Sequence, residues 1–315
     1  MNEHLNERDP QLIEEVSNLL HLAPAIVEKD LYVTQVLHTL ASVEDEFYQL
    51  VFQGGTCLAK AHQIIERMSE DCDFRMVAKF LPHALSKEKS RQKLRAFRQQ
   101  TIEKLKLAGF AIPTSQIRAR NEGQYMDIYL DYTSAFPSSE ALRPQIQLEF
   151  IAIETKLPAE IKPISSLMKQ LLKDQIKQDA KSIPCVAIIE TAADKWVAFT
   201  RRVATIARSY REHDPTLIRH LYDLHILDQK GLITAQFYSL IDSTMQSDIA
   251  QYHSHNPEYT ADPKNEIKFA LTELENNAKW RKNWEQFVAA MVFRQGASTY
   301  QQALDSLKKI SSHIL

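Results

Sequence analysis

Val51-Phe52-Gln53-Gly54-Gly55-Thr56, followed by Ser69-Glu70-Asp71-Cys72-Asp73-Phe74, is the part of this chain that decides its fold. An apolar run ending on paired glycines reads as a strand entering a tight turn. Glycine there lets backbone amides point at an anion with no Cβ in the way. In the second segment two aspartates stand at i and i+2 on another strand. Both then point to one face and can grip the same divalent cations, while Cys72 between them points to the opposite, buried face. A phosphate cradle beside a metal clamp suggests nucleotidyl transfer.

Upstream, residues 11–40 place apolar side chains at helical spacing, and Pro24 divides them into two helices. Leu50-Val51-Phe52 enters the glycine turn, Thr56 to Met68 leaves it as a helix, and Cys72 to Val77 carries the acidic pair. A long polar helix over 84–108 ends at Gly109. Strands are expected at 110–120, 124–132 and 145–153, then a loop with Pro158 and Pro163, a basic helix, and a short strand from Cys185 to Ile189. From Ala192 onward the pattern is helical, with breaks near Asp214-Pro215, Gly231 and His253 to Lys264. The fold class is α+β: a small mixed sheet core with a helical N-terminal segment over residues 1–190, and a helical C-terminal domain over 191–315. Trp280, Trp284 and Phe287 form a packing stripe in that second part.

The 315 residues are enough for one large domain or two, and 44% hydrophobic with 25% charged residues is the balance of an ordinary globular protein. Only 6 glycines argue against a loop-rich all-β fold. Cys57, Cys72 and Cys185 are scattered with no CxxC pair, which disfavours a disulfide framework and a cysteine zinc site. His220 and His225, and His253-Ser254-His255, lack zinc spacing as well. No apolar run approaches the roughly 20 residues of a membrane helix. Met1-Asn2-Glu3-His4 lacks the features of a signal peptide, so a cytoplasmic protein with no membrane partner is expected. The net charge of -2 gives no overall field for nucleic acid. Local cationic stripes do occur, one through Lys87, Lys89, Arg91, Lys93, Arg95, Arg98, Lys104 and Lys106, another through Lys169, Lys173 and Lys177. They read first as solvated helix faces and second as phosphate contacts.

Gly-Gly-Thr, a helix, then Asp-x-Asp on a strand resembles the active-site pattern of polymerase-β-like nucleotidyltransferases. Gly54-Gly55-Thr56-Cys57-Leu58-Ala59-Lys60 with Arg67-Met68-Ser69-Glu70-Asp71-Cys72-Asp73-Phe74 is similar to the AbiEii/AbiGii (MenT-like) nucleotidyltransferase toxins of bacterial toxin–antitoxin and phage-defence systems. The resemblance extends to Ile26-Val27-Glu28-Lys29-Asp30, Glu190-Thr191-Ala192-Ala193-Asp194-Lys195 and Arg219-His220-Leu221-Tyr222-Asp223-Leu224. It covers most of residues 25–230. It implies that Gly54, Gly55 and Thr56 cradle the triphosphate of an NTP, and that Asp71 and Asp73 hold Mg2+ or Mn2+. Glu149 completes the metal set, with Asp127 or Asp131 as alternatives. The resemblance further implies that Arg67 and Ser69 shape the turn or touch phosphate, that Lys195 meets the nucleotide phosphates, and that Asp223 is a fourth acidic position. The implied acceptor is a tRNA 3′ end, and the implied partner a cognate antitoxin.

Two metals about 3.5–4 Å apart neutralise the entering and leaving oxygens of an attack on an α-phosphate, and three carboxylates suffice to hold them. Two further readings stay open: transfer to a protein hydroxyl, which the near-neutral charge favours, and a non-catalytic partner of an antitoxin. Asp223 stands four residues after Arg219 and has an intrahelical ion pair as its plain alternative.

Overall fold

A computed structural model of the chain describes residues 5–80, 84–137, 142–175, 181–293, 296 and 298–315. Met1-Asn2-Glu3-His4 and Lys177 of the second basic stripe lie outside them. The chain divides into two compact units, Met1–Val186 and Ala187–Leu315.

In the first unit the elements are α1 (Pro10–Leu20), α2 (Pro24–Leu40), β1 (Tyr48–Gln53), α3 (Gly54–Lys60), β2 (Cys72–Ala78), α4 (Lys87–Leu107), β3 (Ile117–Arg120), β4 (Tyr125–Leu130), β5 (Ile146–Ile151), β6 (Glu160–Pro163), α5 (Leu167–Leu172) and β7 (Ser182–Cys185). The strands form one mixed sheet in the order β3-β4-β5-β2-β1-β7-β6. β2 runs antiparallel to β1 and parallel to β5, and β7 runs parallel to β1. The fold is α+β.

Alternation along the central strands separates two faces. Phe52, Phe74, Phe150 and Met126 stand in one register row, all essentially buried. The Phe52 and Phe150 rings each lie 5.3 Å from the Phe74 ring, centroid to centroid. This row anchors the core with Leu148, Ile128, Cys72 and Leu50. One residue along, the same strands align Gln53, Asp73, Glu149 and Asp127 on the other face.

Several boundaries differ from the expectations. α3 stops at Lys60 instead of reaching Met68: Gln63 turns left-handed at φ 53°, and Ile64 N–H donates back to Leu58 O at 2.9 Å, a helix-terminating turn. β3 covers only the end of the 110–120 stretch, because Pro113 starts a single 3-10 turn before it. β7 ends at Cys185, and the helix expected after it begins earlier, at Ile188. The segment taken as a proline loop contains β6, an edge strand where Pro163 removes no central ladder bond. In α4, Leu94, Phe97, Thr101 and Leu105 face the core. The cationic residues of that helix include Arg91 paired with Glu122, Lys106 paired with Glu103, and Lys93 over the Phe47 ring.

The second unit holds α6 (Ile188–Ala207), α7 (Ile218–Gln229), α8 (Ala235–Tyr252), α9 (Pro257–Ala261), α10 (Pro263–Asn276), α11 (Ala278–Met291) and α12 (Tyr300–Ser312). Trp196, Phe199, Tyr222, Trp280, Trp284 and Phe287 are buried in it. The Trp196 indole N–H donates to Ser311 Oγ at 3.1 Å, and Arg208 grips the buried Glu266 through Nε and Nη2 at 2.6 and 2.8 Å. Among the described residues no helix is long and apolar enough to cross a membrane.

Candidate active site

The site grows out of the β1–α3 junction. Gly54 has φ +80°, and a Cβ there would overlap the Asp73 carboxylate, while a Cβ on Gly55 would overlap the Arg67 guanidinium and come within 3.1 Å of Ser69 Oγ. The paired glycines therefore make room for the side chains that follow them in sequence. Thr56 is fully buried; its hydroxyl donates to Ser69 Oγ at 2.9 Å and lies against the Asp71 carbonyl oxygen. Arg67, also buried, donates from Nη1 to Met68 O at 2.9 Å. These three side chains hold the approach to β2 in shape.

On the polar face, Asp73 lies in register between Gln53 and Glu149, and Asp127 flanks Glu149 on its other side. Strand spacing puts neighbours in such a row roughly 4.8 Å apart at the backbone. Protein packed around the Glu149 carboxyl raises its pKa; Asp71 and then Asp127 add to the rise, while Arg143 and Arg120 oppose it. The Glu149 side chain nonetheless reaches solvent, which moderates the effect. Gln147 Nε2 donates to Glu149 Oε1 at 2.6 Å, and Arg120 Nη2 pairs with Asp127 Oδ2 at 2.7 Å. Asp131 falls outside the row; hydrogen bonds from Gln145 and Gln116, at 2.7 and 2.6 Å, hold its pKa below the ordinary value. Burial, with Asp73 and Asp71 adding, pushes the Cys72 thiol well up, which leaves it inert as a nucleophile.

Three features of this site escaped sequence reasoning. Arg143 Nη1 pairs with Asp71 Oδ1 at 2.6 Å and also reaches Gln147. Arg75, buried on the acidic face, donates from Nε to Gln53 Oε1 at 2.7 Å. Glu28-Lys29-Asp30 of α2 acts as an anchor block. Glu28 receives Ala135 N–H at 2.9 Å and the Ser134 hydroxyl. Lys29 Nζ meets Glu70 Oε2 at 2.6 Å and the carbonyls of Arg143 and Gln145 at 2.6 and 3.0 Å. Asp30 pairs with Lys60 at 2.6 Å and accepts Leu167 N–H at 2.7 Å. Glu70 also accepts Arg143 N–H at 3.0 Å, so Lys29 ties both partners of the Asp71–Arg143 pair to α2. The sequence showed this triplet as part of the family resemblance and as charge inside an apolar helix, without the anchoring contacts it makes.

Within the second unit, Lys195 Nζ pairs with the buried Asp223 Oδ2 at 2.8 Å, joining α6 to α7. That interhelical contact was not among the readings of Asp223 as a fourth acid or an Arg219 partner.

A family profile described as nucleotidyl transferase AbiEii toxin, type IV toxin–antitoxin system, matches residues 35–306. The chain belongs to this family. It is a nucleotidyltransferase toxin of the AbiEii type, and the match runs well past residue 230, into the C-terminal helices beyond the reach of the motif resemblance. Among solved structures, the nucleotidyltransferase toxin MenT4 from Mycobacterium tuberculosis H37Rv superposes with a TM-score of 0.39 at 16% identity, covering 82% of this chain and 98% of that one. A sequence search of curated proteins finds no match.

Proposed function

We propose that this AbiEii-type toxin moves a nucleoside monophosphate from an NTP to an acceptor hydroxyl, the 3′ end of a tRNA, at Asp71, Asp73 and Glu149. The observation that carries this reading is the register row Gln53–Asp73–Glu149–Asp127 beside a glycine whose missing Cβ leaves space for Asp73. The donor set is all hard oxygen, which suits Mg2+ or Mn2+. Bound there, divalent cations supply charge neutralisation at the attacking and leaving oxygens.

Asp71 and Asp73 share the cations and Glu149 is the third ligand. Asp127 stands one strand farther, roughly 10 Å from Asp73 by strand spacing, with Arg120 on it. Asp131, outside the row, is held by Gln116 and Gln145. Backbone amides of Gly54, Gly55 and Thr56 receive the triphosphate, while Arg67, Ser69 and the Thr56 hydroxyl keep the turn rigid. Arg143 holds positive charge against Asp71 and is placed to pass it to an incoming phosphate. Lys195 is assigned a phosphate contact and Asp223 the job of orienting it through their ion pair. A charge-free Lys195→Met variant tests this: raised KM for NTP supports the contact, and lost stability with unchanged KM rejects it.

The setting that fits is the cytoplasm, where NTP and tRNA both occur, and blocked tRNA ends would arrest growth until an antitoxin intervenes, as in phage defence. The test is an assay with each α-labelled NTP, Mg2+ and total RNA, comparing the native protein with Asp71→Asn. Label entering tRNA-sized RNA only with the native protein is the expected result. Label on protein would move the acceptor to a side-chain hydroxyl, and equal labelling by both proteins would refute the site.

A further inference from the structure

On the sheet's core side the fold gathers three soft or borderline ligands, two of them from α3 and its closing turn and one from a distant strand. Cys57 sits on α3, His62 in the turn that ends α3, and Cys185 at the end of β7; one ligand atom from each lies within 4.8 Å of the others. Two features of the fold bring this about. The N–H groups of Ala61 and His62 both donate to Cys57 O, at 3.1 and 3.0 Å, which curls His62 back over Cys57. The parallel pairing of Phe52 with Cys185 sets β7 beside β1, whose chain continues directly into α3. The scattered cysteines had argued against a cysteine metal site, because spacing along the chain says nothing about strands that pair across the sheet.

We infer that Cys57, His62 and Cys185 form a second metal site, specific for a single thiophilic ion of the zinc class. The histidine is set up for it. Its Nε2 lies 3.0 Å from Val186 O, and a carbonyl only accepts, so Nε2 carries the proton and Nδ1 keeps its lone pair. Nδ1 is buried and has no hydrogen-bond partner among the described residues. A ligating imidazole that donates its other N–H to a backbone carbonyl is the usual outer-shell arrangement at metal sites. In a tetrahedral site with bonds of about 2.0–2.3 Å, ligand atoms sit roughly 3.5–3.8 Å apart, so the three atoms need to close in by at most about an ångström.

Glu160 pairs in register with Cys185 and its charge bears on both Cys57 and His62, but its carboxylate is paired with Lys162 at 2.8 Å, so a water is the fourth ligand. Both cysteines are fully buried, and binding displaces two thiol protons to solvent. The ion would fasten α3, and with it the glycine turn, to β7. A Cys57–Cys185 disulfide would instead leave His62 Nδ1 without a partner.

The test titrates the full-length chain, reduced and metal-free, with Co2+ as a spectroscopic probe and then with Zn2+. One equivalent of Co2+ giving thiolate-to-cobalt charge-transfer absorption, displaced by Zn2+, is the expected result. His62→Ala should weaken binding at least tenfold and Cys185→Ser should abolish the charge-transfer band, whereas Asp71→Asn should keep it. His62 is only partly buried, so His62→Ala remains informative, with its fold checked by circular dichroism, even if Cys185→Ser does not fold. No charge-transfer band in the folded, reduced protein overturns the inference. A band indifferent to both His62→Ala and Cys185→Ser, or one lost in Asp71→Asn, does the same.

Discussion

The rows Phe52–Phe74–Phe150–Met126 and Gln53–Asp73–Glu149–Asp127 are built by the same four strands one residue apart, yet they do opposite work. The first is dry and stacked, with ring centroids 5.3 Å apart, and burial of such rings favours folding by roughly 1.5–3 kcal/mol each. The second lines up three carboxylates centred on Glu149, whose pKa burial raises, with the charges of Asp71 and Asp127 adding to the rise. Because a slip of one residue would exchange the two faces, the apolar row fixes the register and the acidic row inherits its alignment. Stability in this unit is therefore concentrated one residue away from the chemistry, and the two can be separated by mutation.

The largest expected separation is in Asp73→Asn. Transfer activity should fall roughly 10^4-fold, above 5 kcal/mol of transition-state stabilisation, with the denaturation midpoint unchanged or slightly raised; labelled-NTP turnover and urea melts read the two. Next comes Lys29→Ala, which strands Glu70 without its partner where the two side chains are 0% and 1% exposed. A loss of about 3–5 kcal/mol in urea unfolding is expected, and because Lys29 also positions Arg143, whatever folds should turn over more slowly. Phe74→Ala should cost a similar ~3–5 kcal/mol through the cavity it leaves; activity per folded molecule, measured in the cold, should survive better than in Asp73→Asn. Equal loss of activity in both would break the contrast between the rows.

Glu149→Gln is the smallest effect and the sharpest in sign. The Glu149 pKa is raised from 4.5 in the fold, so the folded state holds its proton more tightly than the unfolded chain. The stability this group contributes is present below its ordinary value and is lost as pH rises through the raised one. Without divalent cations, Glu149→Gln should therefore melt about 1–2 °C higher than the native protein above that window, a modest shift because solvent screens the carboxylate, and the difference should vanish in acid. Melting curves across pH check it.

The glycine turn, the strand carrying Asp73 and the central strands were legible because each is a local pattern: paired glycines after an apolar run, period-two alternation through 72–77, alternating apolar positions in 146–150. Asp71, expected on the same strand as Asp73, stands one residue before β2. Glu149 could be nominated from its strand, but its place next to Asp73 depends on parallel pairing of β2 with β5, which no local pattern encodes. Arg143 sits in irregular chain before β5 and finds Asp71 only through tertiary structure. Pro163 hid β6, since proline signals a loop unless the strand is known to lie on an edge. Glu28-Lys29-Asp30 was visible as part of the resemblance, while its anchoring work shows only in the ion pairs and hydrogen bonds it makes.

The central claim is that the acidic row is a cation site held in register by the apolar row, and Mg2+-dependent melting tests it most directly. The melting temperature of the native protein should climb with Mg2+, by RT ln(1 + [Mg2+]/Kd) in free energy, and climb further when a non-hydrolysable NTP is added. Asp73→Asn should start at or above the metal-free native value and stay flat. A variant that responds to Mg2+ and nucleotide as the native protein does would contradict the account.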